Sequence, residues 1–341
     1  MLTVGGKFGD FDVVHELGVG GMGAVYLVRD PETGGEYAAK VMLESPLHGD
    51  DFKRRFIREA EIAMKVEHPN LVRVYDVGRD PETGYAYMIM DYVGGGDLHE
   101  ALARRLIDRR GPYRVKEALG IIRPLLGALS AAAAAGVVHR DIKPDNILFD
   151  GGGNAYLADL GVAKLSDDKT LTRLTMSNVV VGTPAYMAPE QMTDSHAVDT
   201  RADLYALGLV LWEMLAGECS NAELSASELM ARAIKGTRVR DIRTLRPKLP
   251  KYVVRFLRRM TDPKPERRFA TPDDALAYLD EWRKREERAF RLFLAGTGVL
   301  TALVVAVVLY IGIRWINRPD ADVPERAGDS DSEFSIPDSV R

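Results

Sequence analysis

The sequence has almost no cysteine and no strong excess of charge of either sign. Cys219 is the only cysteine among 341 residues, which excludes an intrachain disulfide and favours a reducing compartment. The six histidines are scattered without metal-ligand spacing, which argues against a zinc site. The net charge of −4 provides no overall attraction to nucleic acid, so we expect no nucleic-acid partner. The N-terminus has no charged segment followed by an apolar run, and therefore predicts no signal peptide.

One long hydrophobic run lies near the C-terminus, at 292–313. It reads LFLAGTGVLTALVVAVVLYIGI, contains no charged residue, and reaches the roughly 20 apolar residues that cross a bilayer. A buried core helix is the alternative, which the flanking Arg291 and Arg314 disfavour. Basic residues are concentrated in the juxtamembrane segment 283–291, which predicts a cytoplasmic location for everything before the run. We therefore expect a single-pass protein of the cell (plasma or inner) membrane, with a short acidic, disordered extracytoplasmic tail at 314–341.

The residues before this run divide into a β-rich part and a helical part. Up to about residue 90 the pattern is mostly strands, with one helix over 50–68. The hexapeptide RDPETG recurs at 29–34 and 79–84, and its proline and glycine predict a turn between two antiparallel strands at each place. From about 91 to 282 helices dominate, and we expect Pro124 to kink or divide one of them. The fold class is therefore α+β, with two lobes.

Three glycines in LGVGGMGAVYLV, Gly18, Gly20 and Gly23, form a G-x-G-x-x-G frame that two unrelated phosphate-binding designs share. In a dinucleotide fold these glycines open a helix within a βαβ unit. Here a β-rich run follows the glycines and reaches a turn at 30–31, which leaves no room for a helix. The other design is a β-hairpin over a nucleotide triphosphate, in which the frame continues to a valine, here Val25.

Further motifs follow in order along the chain. YAAK places Lys40 on a strand, FIREAEI offers Glu59 on the next helix, and HRDIKPDNIL, LADLG and GTPAYMAPE come later. Together these motifs resemble the eukaryotic-type protein kinase family over about residues 8–282. Their wording is most similar to the Ser/Thr kinases of bacteria, many of which are single-pass membrane proteins. The resemblance implies a bilobal kinase fold, with an N-lobe of about 8–90, a C-lobe of about 91–282, and one transmembrane helix after it.

The resemblance also implies ATP as cofactor and names the residues that use it. Lys40 would hold the α- and β-phosphates and pair with Glu59. Asp141 would orient the substrate hydroxyl, and Lys143 would reach the γ-phosphate. Asn146 and Asp159 would bind Mg²⁺, with Mn²⁺ as an alternative. The nucleotide would lie among the glycine hairpin, the hinge at 90–93 and the facing residues of both lobes, which are Gly18, Gly20, Gly23, Val25, Ala38, Met90, Asp91, Val93, Asp97 and Leu148.

Regulation and partners follow from the same resemblance. The partners would be protein substrates with Ser or Thr, ATP and the membrane, and a homodimer stays open. We expect autophosphorylation in the activation segment, with Thr175 and Ser177 favoured among its hydroxyls. Leu160 stands where most of the family has phenylalanine, and we expect activity to survive this change. Glu190 should form an ion pair with Arg267 or Arg268, which the sequence does not separate.

Two other functions compete with an active protein kinase. A pseudokinase scaffold at the membrane is disfavoured because Lys40, Asp141, Asn146 and Asp159 are all present. A small-molecule kinase of related fold is disfavoured by the GTPAYMAPE segment, which resembles a peptide platform. We also expect bulky residues at Gly20 and Gly23 to impair the use of ATP while leaving the fold largely intact.

Overall fold

The computed structural model describes residues 2–20, 23–42, 50–160, 184–193 and 198–316. It contains a compact unit, Met1–Trp282, and a second unit, Arg283–Arg341. The strands of the compact unit are β1 Lys7–Phe8, β2 Phe11–Gly20, β3 Gly23–Arg29, β4 Glu36–Val41, β5 Val74–Arg79, β6 Ala86–Asp91, β7 Ile147–Phe149 and β8 Ala155–Leu157. The described helices are α1 Asp50–Ala63, α2 Leu98–Ile107, α3 Val115–Ala134, α4 Pro189–Thr193, α5 Thr200–Ala216, α6 Ala226–Lys235, α7 Lys251–Met260 and α8 Pro272–Ile316.

The first lobe is a six-stranded antiparallel sheet in the order β1-β2-β3-β4-β6-β5. Buried and half-buried residues alternate along β3, as expected for a strand with one face on a core. Helix α1 packs against β5 and β6. It ends at Ala63, earlier than the sequence predicted, and the chain to His68 continues as turns, with the Lys65 N–H donating to the Ile62 carbonyl.

Each RDPETG loop joins two antiparallel strands, as the sequence predicted, and the two loops share two hydrogen bonds. In the first, the Thr33 hydroxyl donates to the Asp30 carboxylate at 2.7 Å and the Gly34 N–H donates to the Asp30 carbonyl at 2.8 Å. In the second, Thr83 and Gly84 make the same two bonds to Asp80, at 2.5 and 2.8 Å. Both glycines have positive φ, 74° and 70°, which a side chain would strain.

The second lobe is built around α5, which is buried from Ala202 to Leu215 at every position but Glu213. This helix is apolar on all sides, as a helix at the centre of a lobe should be. It packs against α3 and α7, and ends at Gly217 in a left-handed conformation, φ 83°. Pro124 does not divide α3, which is continuous over Val115–Ala134. Gly136, with φ 73°, follows the end of α3.

One buried apolar cluster joins the two lobes, running from Ala38 and Met42 through Leu71 and Leu157 to Val210. The hairpin β7–β8 lies at this junction. A parallel bridge connects Leu157 to Leu71, and an antiparallel bridge connects Leu148 to Asp97. These bridges fix the β7–β8 hairpin to the segments on either side of it, at Leu71 and at Asp97.

The second unit is described up to Ile316 and contains the remainder of α8. Its stretch Leu300–Trp315 is apolar and exposed, with Tyr310 at 63% and Trp315 at 73% of full exposure. Within the described part of the chain, one helix has both the length and the apolar composition of a membrane span, and it is α3. Residues such as Ile122, Leu125 and Leu126 are fully buried in the helical lobe, which explains the composition of α3.

Candidate active site

The three glycines lie in a β-hairpin, as predicted from the β-rich run that follows them. Strands β2 and β3 pair antiparallel, with Gly18 opposite Val25 and Gly20 opposite Gly23, while residues 21–22 lie outside the described residues. A Cβ atom at Gly18 would meet no described atom within 4 Å, whereas one at Gly23 would lie 2.1 Å from the Val41 carbonyl oxygen. The expectation that bulky residues at Gly23 leave the fold intact is therefore wrong, because β4 occupies the space that a side chain needs.

Lys40 and Asp159 form an ion pair across the junction of the lobes. The Lys40 Nζ donates to the Asp159 Oδ1 at 2.6 Å, and the two side chains are 18% and 32% exposed. Asp159 has a φ of 59°, a left-handed conformation that a residue other than glycine adopts at a cost, and one that is common at functional sites. The predicted partner of Lys40, Glu59, lies in α1, but its side chain is outside the described residues.

The loop at 139–141 is hydrogen-bonded through its backbone to Asp203 of α5. The Asp203 carboxylate accepts the backbone N–H groups of His139 and Arg140, both at 2.8 Å. Asp203 is 1% exposed, and burial raises the pKa of its carboxyl group. Arg140 has a left-handed φ of 65°, so the two bonds to Asp203 stabilise a strained turn.

His139 supports the same loop with its ring. The ring is fully buried, its Nε2 lies 2.9 Å from the Ala158 carbonyl oxygen, and its Nδ1 accepts the Asp141 N–H at 3.3 Å. Because Nδ1 accepts this bond, the ring proton is on Nε2, which donates to the Ala158 carbonyl. His139 therefore connects Asp141 to the strand that leads to Asp159.

Asp141 is surrounded by two of its predicted neighbours. The Asn146 amide donates to the Asp141 carbonyl at 2.7 Å and to its Oδ2 at 3.2 Å. The Lys143 Nζ lies 3.3 Å from the same Oδ2. Since the Asn146 nitrogen is used in this way, its amide oxygen is the atom left for a cation. The structure thus brings Asp141, Lys143 and Asn146 together.

The predicted adenine-binding residues lie around the lobe junction. Ala38 and Met90 are paired on neighbouring strands and are 5% and 8% exposed. Val25 and Leu148 are half-buried and pack against the shared core. The backbone of Val93, after β6, makes no hydrogen bond to another described residue, so its N–H and carbonyl are left for a ligand.

Two acidic residues predicted to contact the nucleotide have other partners in the structure. The Asp91 carboxylate accepts the Arg73 N–H at 2.9 Å and the Tyr75 hydroxyl at 2.7 Å, which ties it to β5. The side chain of Asp97 begins α2 by accepting the Glu100 N–H at 2.7 Å. Burial raises the pKa of the Asp97 carboxyl group. Asp91 therefore has only its carbonyl left for adenine, since its N–H donates to the Arg73 carbonyl at 2.9 Å, and Asp97 has one oxygen free of this cap.

Glu190 pairs with Arg268, which resolves the choice that the sequence left open. The Arg268 guanidinium meets both Glu190 oxygens, at 2.5 and 2.8 Å, and also donates to the carbonyls of Asp262 and Arg201. Its side chain is fully buried, whereas Arg267 is exposed. The next residue, Gln191, donates to the Arg140 carbonyl at 3.0 Å, so helix α4 is connected to the loop that carries Asp141.

Part of the predicted machinery falls on residues that the structure does not describe. Gly161 and the whole segment 161–183, with the favoured phosphorylation sites Thr175 and Ser177, lie outside the described residues. Leu160, the last described residue before this gap, is 6% exposed and belongs to the buried core, in agreement with an apolar packing role.

The sequence interpretation missed Asp203 and Gln191. Asp203 had a signal, because it is the one carboxylate in the apolar run ADLYALGLVLW, and a charge within a buried helix needs a partner. Gln191 had none, since a lone glutamine after GTPAYMAPE is equally compatible with an exposed position. The pair of Lys40 and Asp159 was also missed, although both residues were predicted to bind ATP and its metal.

A comparison with protein-family models matches residues 11–278 to the protein kinase domain. Serine/threonine-protein kinase PrkC of Bacillus subtilis (strain 168) is 34% identical over 266 residues, which cover 78% of this chain and 39% of that protein. Serine/threonine-protein kinase PknH of Mycobacterium bovis is 36% identical over 308 residues, covering 88% of this chain and 50% of its own length. This chain thus spans half or less of the curated relatives it matches.

A solved structure, that of the Mycobacterium tuberculosis PknI kinase domain, is similar to the compact unit. The TM-score is 0.64 and the sequence identity is 30%, over 82% of this chain and 99% of that one. The bilobal arrangement of a sheet-rich and a helical lobe is therefore that of solved bacterial kinase domains.

Proposed function

The chain belongs to the protein kinase family, and we propose that it transfers the γ-phosphate of ATP to Ser and Thr hydroxyls of proteins, from the cytoplasmic side of a membrane. The observation that carries the proposal is the assembled set of charged residues at the lobe junction. Lys40 is bound to Asp159 at 2.6 Å, while Asn146 and Lys143 both contact Asp141. Phosphoryl transfer depends mainly on positioning and on charge neutralisation, which this set provides.

Each residue has one task in this proposal. Lys40 binds the α- and β-phosphates, and its bond to Asp159 fixes the ammonium group at the junction of the lobes. The Asp141 carboxylate, oriented by Asn146, accepts a hydrogen bond from the substrate hydroxyl and directs its oxygen toward the γ-phosphate. Lys143, whose Nζ lies 3.3 Å from Asp141, offsets the negative charge of the phosphoryl group during its transfer.

A divalent cation fits two of the residues present. Asp159 and Asn146 offer hard oxygen atoms, the donor type that Mg²⁺ selects, and two protein ligands are what Mg²⁺ takes when phosphates and waters supply the others. Bound Mg²⁺ would offset the negative charge of the phosphates. Mn²⁺ has the same ligand preference, so the donor set does not separate the two ions.

The nucleotide base would lie between the paired residues Ala38 and Met90 on one side and Leu148 on the other. The free backbone groups of Val93 and the carbonyl of Asp91 would bind the adenine edge. Gly18 and Gly20, at which a Cβ atom would come no closer than 4.0 Å to a described atom, would let the backbone approach the phosphates. The remaining oxygen of Asp97 would contact the ribose.

The test of activity uses residues 1–282 with labelled ATP, Mg²⁺ and a protein substrate. We expect transfer to Ser and Thr, and a loss of about 100-fold or more in Asp141→Asn, the range expected when a proton-accepting group is removed. Asp145→Asn is a matched control, since it removes an exposed carboxylate from the same loop. Absence of transfer with Mg²⁺ or Mn²⁺ would favour a scaffold without catalysis.

Activation by autophosphorylation is a further part of the proposal. Arg140 lies next to Asp141 in a strained turn, and a phosphate on the activation segment would make charge-assisted hydrogen bonds to it. We favour Thr175 and Ser177 as the acceptors. Mass spectrometry after incubation with ATP should find phosphate between 166 and 183 in the active domain and none in Asp141→Asn. If the active domain carries none there, activation has another cause.

Membrane anchoring rests on the apolar run 292–313 and the basic segment 283–291 before it. The run lies within α8, so its backbone groups are satisfied as a bilayer requires. In cell membranes the full chain should resist extraction with alkaline carbonate, whereas residues 1–282 should be released. Protease added from outside should leave the kinase domain intact, since it is proposed to be cytoplasmic; digestion of that domain would reverse the orientation.

A further inference from the structure

The positive charge of this chain is concentrated in one segment of the helical lobe. Between residues 231 and 261 there are eleven lysines and arginines and a single acidic residue, Asp241. The whole chain has a net charge of −4, so the rest of it is strongly acidic. A face that is merely solvated mixes both signs of charge, whereas this segment separates them.

Helix α7, Lys251–Met260, presents this charge on one face. Its apolar residues are buried in the helical lobe, and they are Val253, Val254, Phe256, Leu257 and Met260. Its charged residues are all basic and all exposed, and they are Lys251, Arg255, Arg258 and Arg259. The helix contains no acidic residue, so nothing on it offsets this charge.

The charged face continues onto the segment before α7. A cavity of about 400 Å³ is lined by Arg258 of α7 and by Arg238, Arg240 and Asp241 of the preceding segment. Trp212 of α5 also lines it. Arg240 stacks on the Trp212 ring at 5.3 Å. The two segments therefore share one surface. We call it the basic surface: Arg238, Arg240, Arg243, Lys248, Lys251, Arg255, Arg258 and Arg259.

Ion pairs neutralise only part of the basic surface. Arg243 and Arg258 share Asp241, at 2.8 and 2.5 Å, and these two guanidinium groups hold the pKa of Asp241 far below its ordinary value. Arg238 pairs with Asp262 and Arg240 with Glu218. Among the described residues, Lys248, Lys251 and Arg255 have no ion pair, so they keep full positive charge toward solvent.

We propose that the basic surface binds the anionic phospholipid headgroups of the membrane in which the chain is anchored. This rests on the proposed anchoring by 292–313. Connection through the polypeptide to a membrane-spanning helix gives the basic surface a high effective concentration of lipid, so that weak contacts suffice. The inner face of a membrane carries negative charge, and each lysine or arginine near it strengthens binding about five-fold. The proposed anchor raises the local concentration of lipid and not of nucleic acid, which favours phospholipid headgroups as the occupant.

The experiment measures co-sedimentation of residues 1–282 with vesicles. This part is the compact unit, and the corresponding domain of a relative was crystallised alone. One vesicle population contains phosphatidylglycerol and phosphatidylcholine, and the other contains phosphatidylcholine only. We expect binding to the first that falls steeply with salt, and binding about 25-fold weaker for Lys251→Gln/Arg255→Gln, at five-fold per charge. Lys7→Gln/Lys65→Gln removes two exposed charges from the first lobe and should change binding less than two-fold.

Failure of lipid binding can be distinguished from failure of the proposed kinase activity and membrane anchoring. Equal sedimentation with both vesicle types, or a double variant on α7 that matches the first-lobe control, would overturn lipid binding. Displacement by a short DNA duplex at equal phosphate concentration would overturn it in favour of nucleic acid. Kinase activity of each variant on a peptide reports folding and catalysis separately. Carbonate extraction of the full chain reports anchoring separately, since residues 1–282 lack the run 292–313 on which the proposed anchoring rests.

Discussion

At the scale of single residues, glycine has two different purposes in the hairpin of β2 and β3. At Gly18 and Gly20 an added Cβ atom would come no closer than 4.0 Å to a described atom, which suits the approach of a phosphate. Gly23 is needed for packing, because the Val41 carbonyl of β4 lies where its side chain would be. One sequence frame therefore combines a ligand-binding requirement with a folding requirement.

Substitution by alanine should separate these purposes. Gly23→Ala should lower the free energy of unfolding by about 1–3 kcal/mol, the usual cost of overpacking. Gly20→Ala should change it by less than about 0.5 kcal/mol, since its Cβ would come no closer than 4.0 Å to the nearest described atom. Instead it should raise the KM for ATP. Urea denaturation and steady-state kinetics measure both. Equal destabilisation by the two variants would contradict this division.

Arg267 and Arg268 are neighbours in sequence, but Arg267 is exposed whereas Arg268 is buried and paired with Glu190. Arg268→Lys keeps a cation but loses the two-pronged contact with Glu190, so we expect about 2–4 kcal/mol lower stability. Arg267→Lys changes an exposed side chain and should cost less than about 0.5 kcal/mol. The measurement is the same urea denaturation. A comparable loss in both variants would mean that the ion pair with Glu190 contributes little.

At the scale of elements, the hinge after β6 is tied to β5 through Asp91. Its carboxylate accepts the Tyr75 hydroxyl, and this bond raises the pKa of Tyr75 from 10.0 to about 12. The protonated phenol is thus favoured in the folded protein. The resulting stabilisation is complete below pH 10 and is lost as the pH rises toward 12.

Removal of this hydroxyl should therefore have an effect that depends on pH. Tyr75→Phe should be less stable than the parent below pH 10, and the difference should shrink between pH 10 and 12. Thermal unfolding across this range measures it. Tyr85→Phe removes a hydroxyl from the loop before β6 and is the control for loss of a phenol elsewhere in the same lobe. A constant difference for Tyr75→Phe would show that the bond to Asp91 does not favour the protonated phenol.

Much of this architecture could be predicted from local sequence. The RDPETG turns and the apolar helix α5 follow from patterns within a few residues. The end of α1 could not be predicted, since the residues after Ala63 remain compatible with a helix in their local pattern. The pairing of Lys40 with Asp159 joins residues 119 positions apart, and no local pattern encodes it. The roles of Arg267 and Arg268 depend on which of them is buried, which is a property of the folded lobe.

At the scale of the whole molecule, the compact unit ends at Trp282. Trp282 stacks on Tyr252 with 5.3 Å between ring centroids, Asp280 pairs with Arg123 at 2.5 Å, and Leu279 is 3% exposed. These contacts make the first turns of α8 part of the helical lobe.

A truncation series tests this boundary. Residues 1–282 should retain the stability of the kinase domain in the full chain to within about 0.5 kcal/mol. Residues 1–278 lose a buried leucine, an ion pair and a stacked tryptophan, and should be at least about 3 kcal/mol less stable. Urea denaturation followed by kinase activity measures both. Equal stability of the two fragments would place the boundary before Leu279.

The paired RDPETG loops also bear on how the sheet assembles. Each turn is fixed by bonds among six neighbouring residues, so each hairpin, β3 with β4 and β5 with β6, depends on contacts that are short in sequence. Such contacts close fast, on the order of microseconds for a hairpin. The join between β4 and β6 spans the intervening helix and must wait for a longer loop to close. The same six letters, used twice, thus make two of the pairings in this sheet early, whereas the pairing of β4 with β6 comes late.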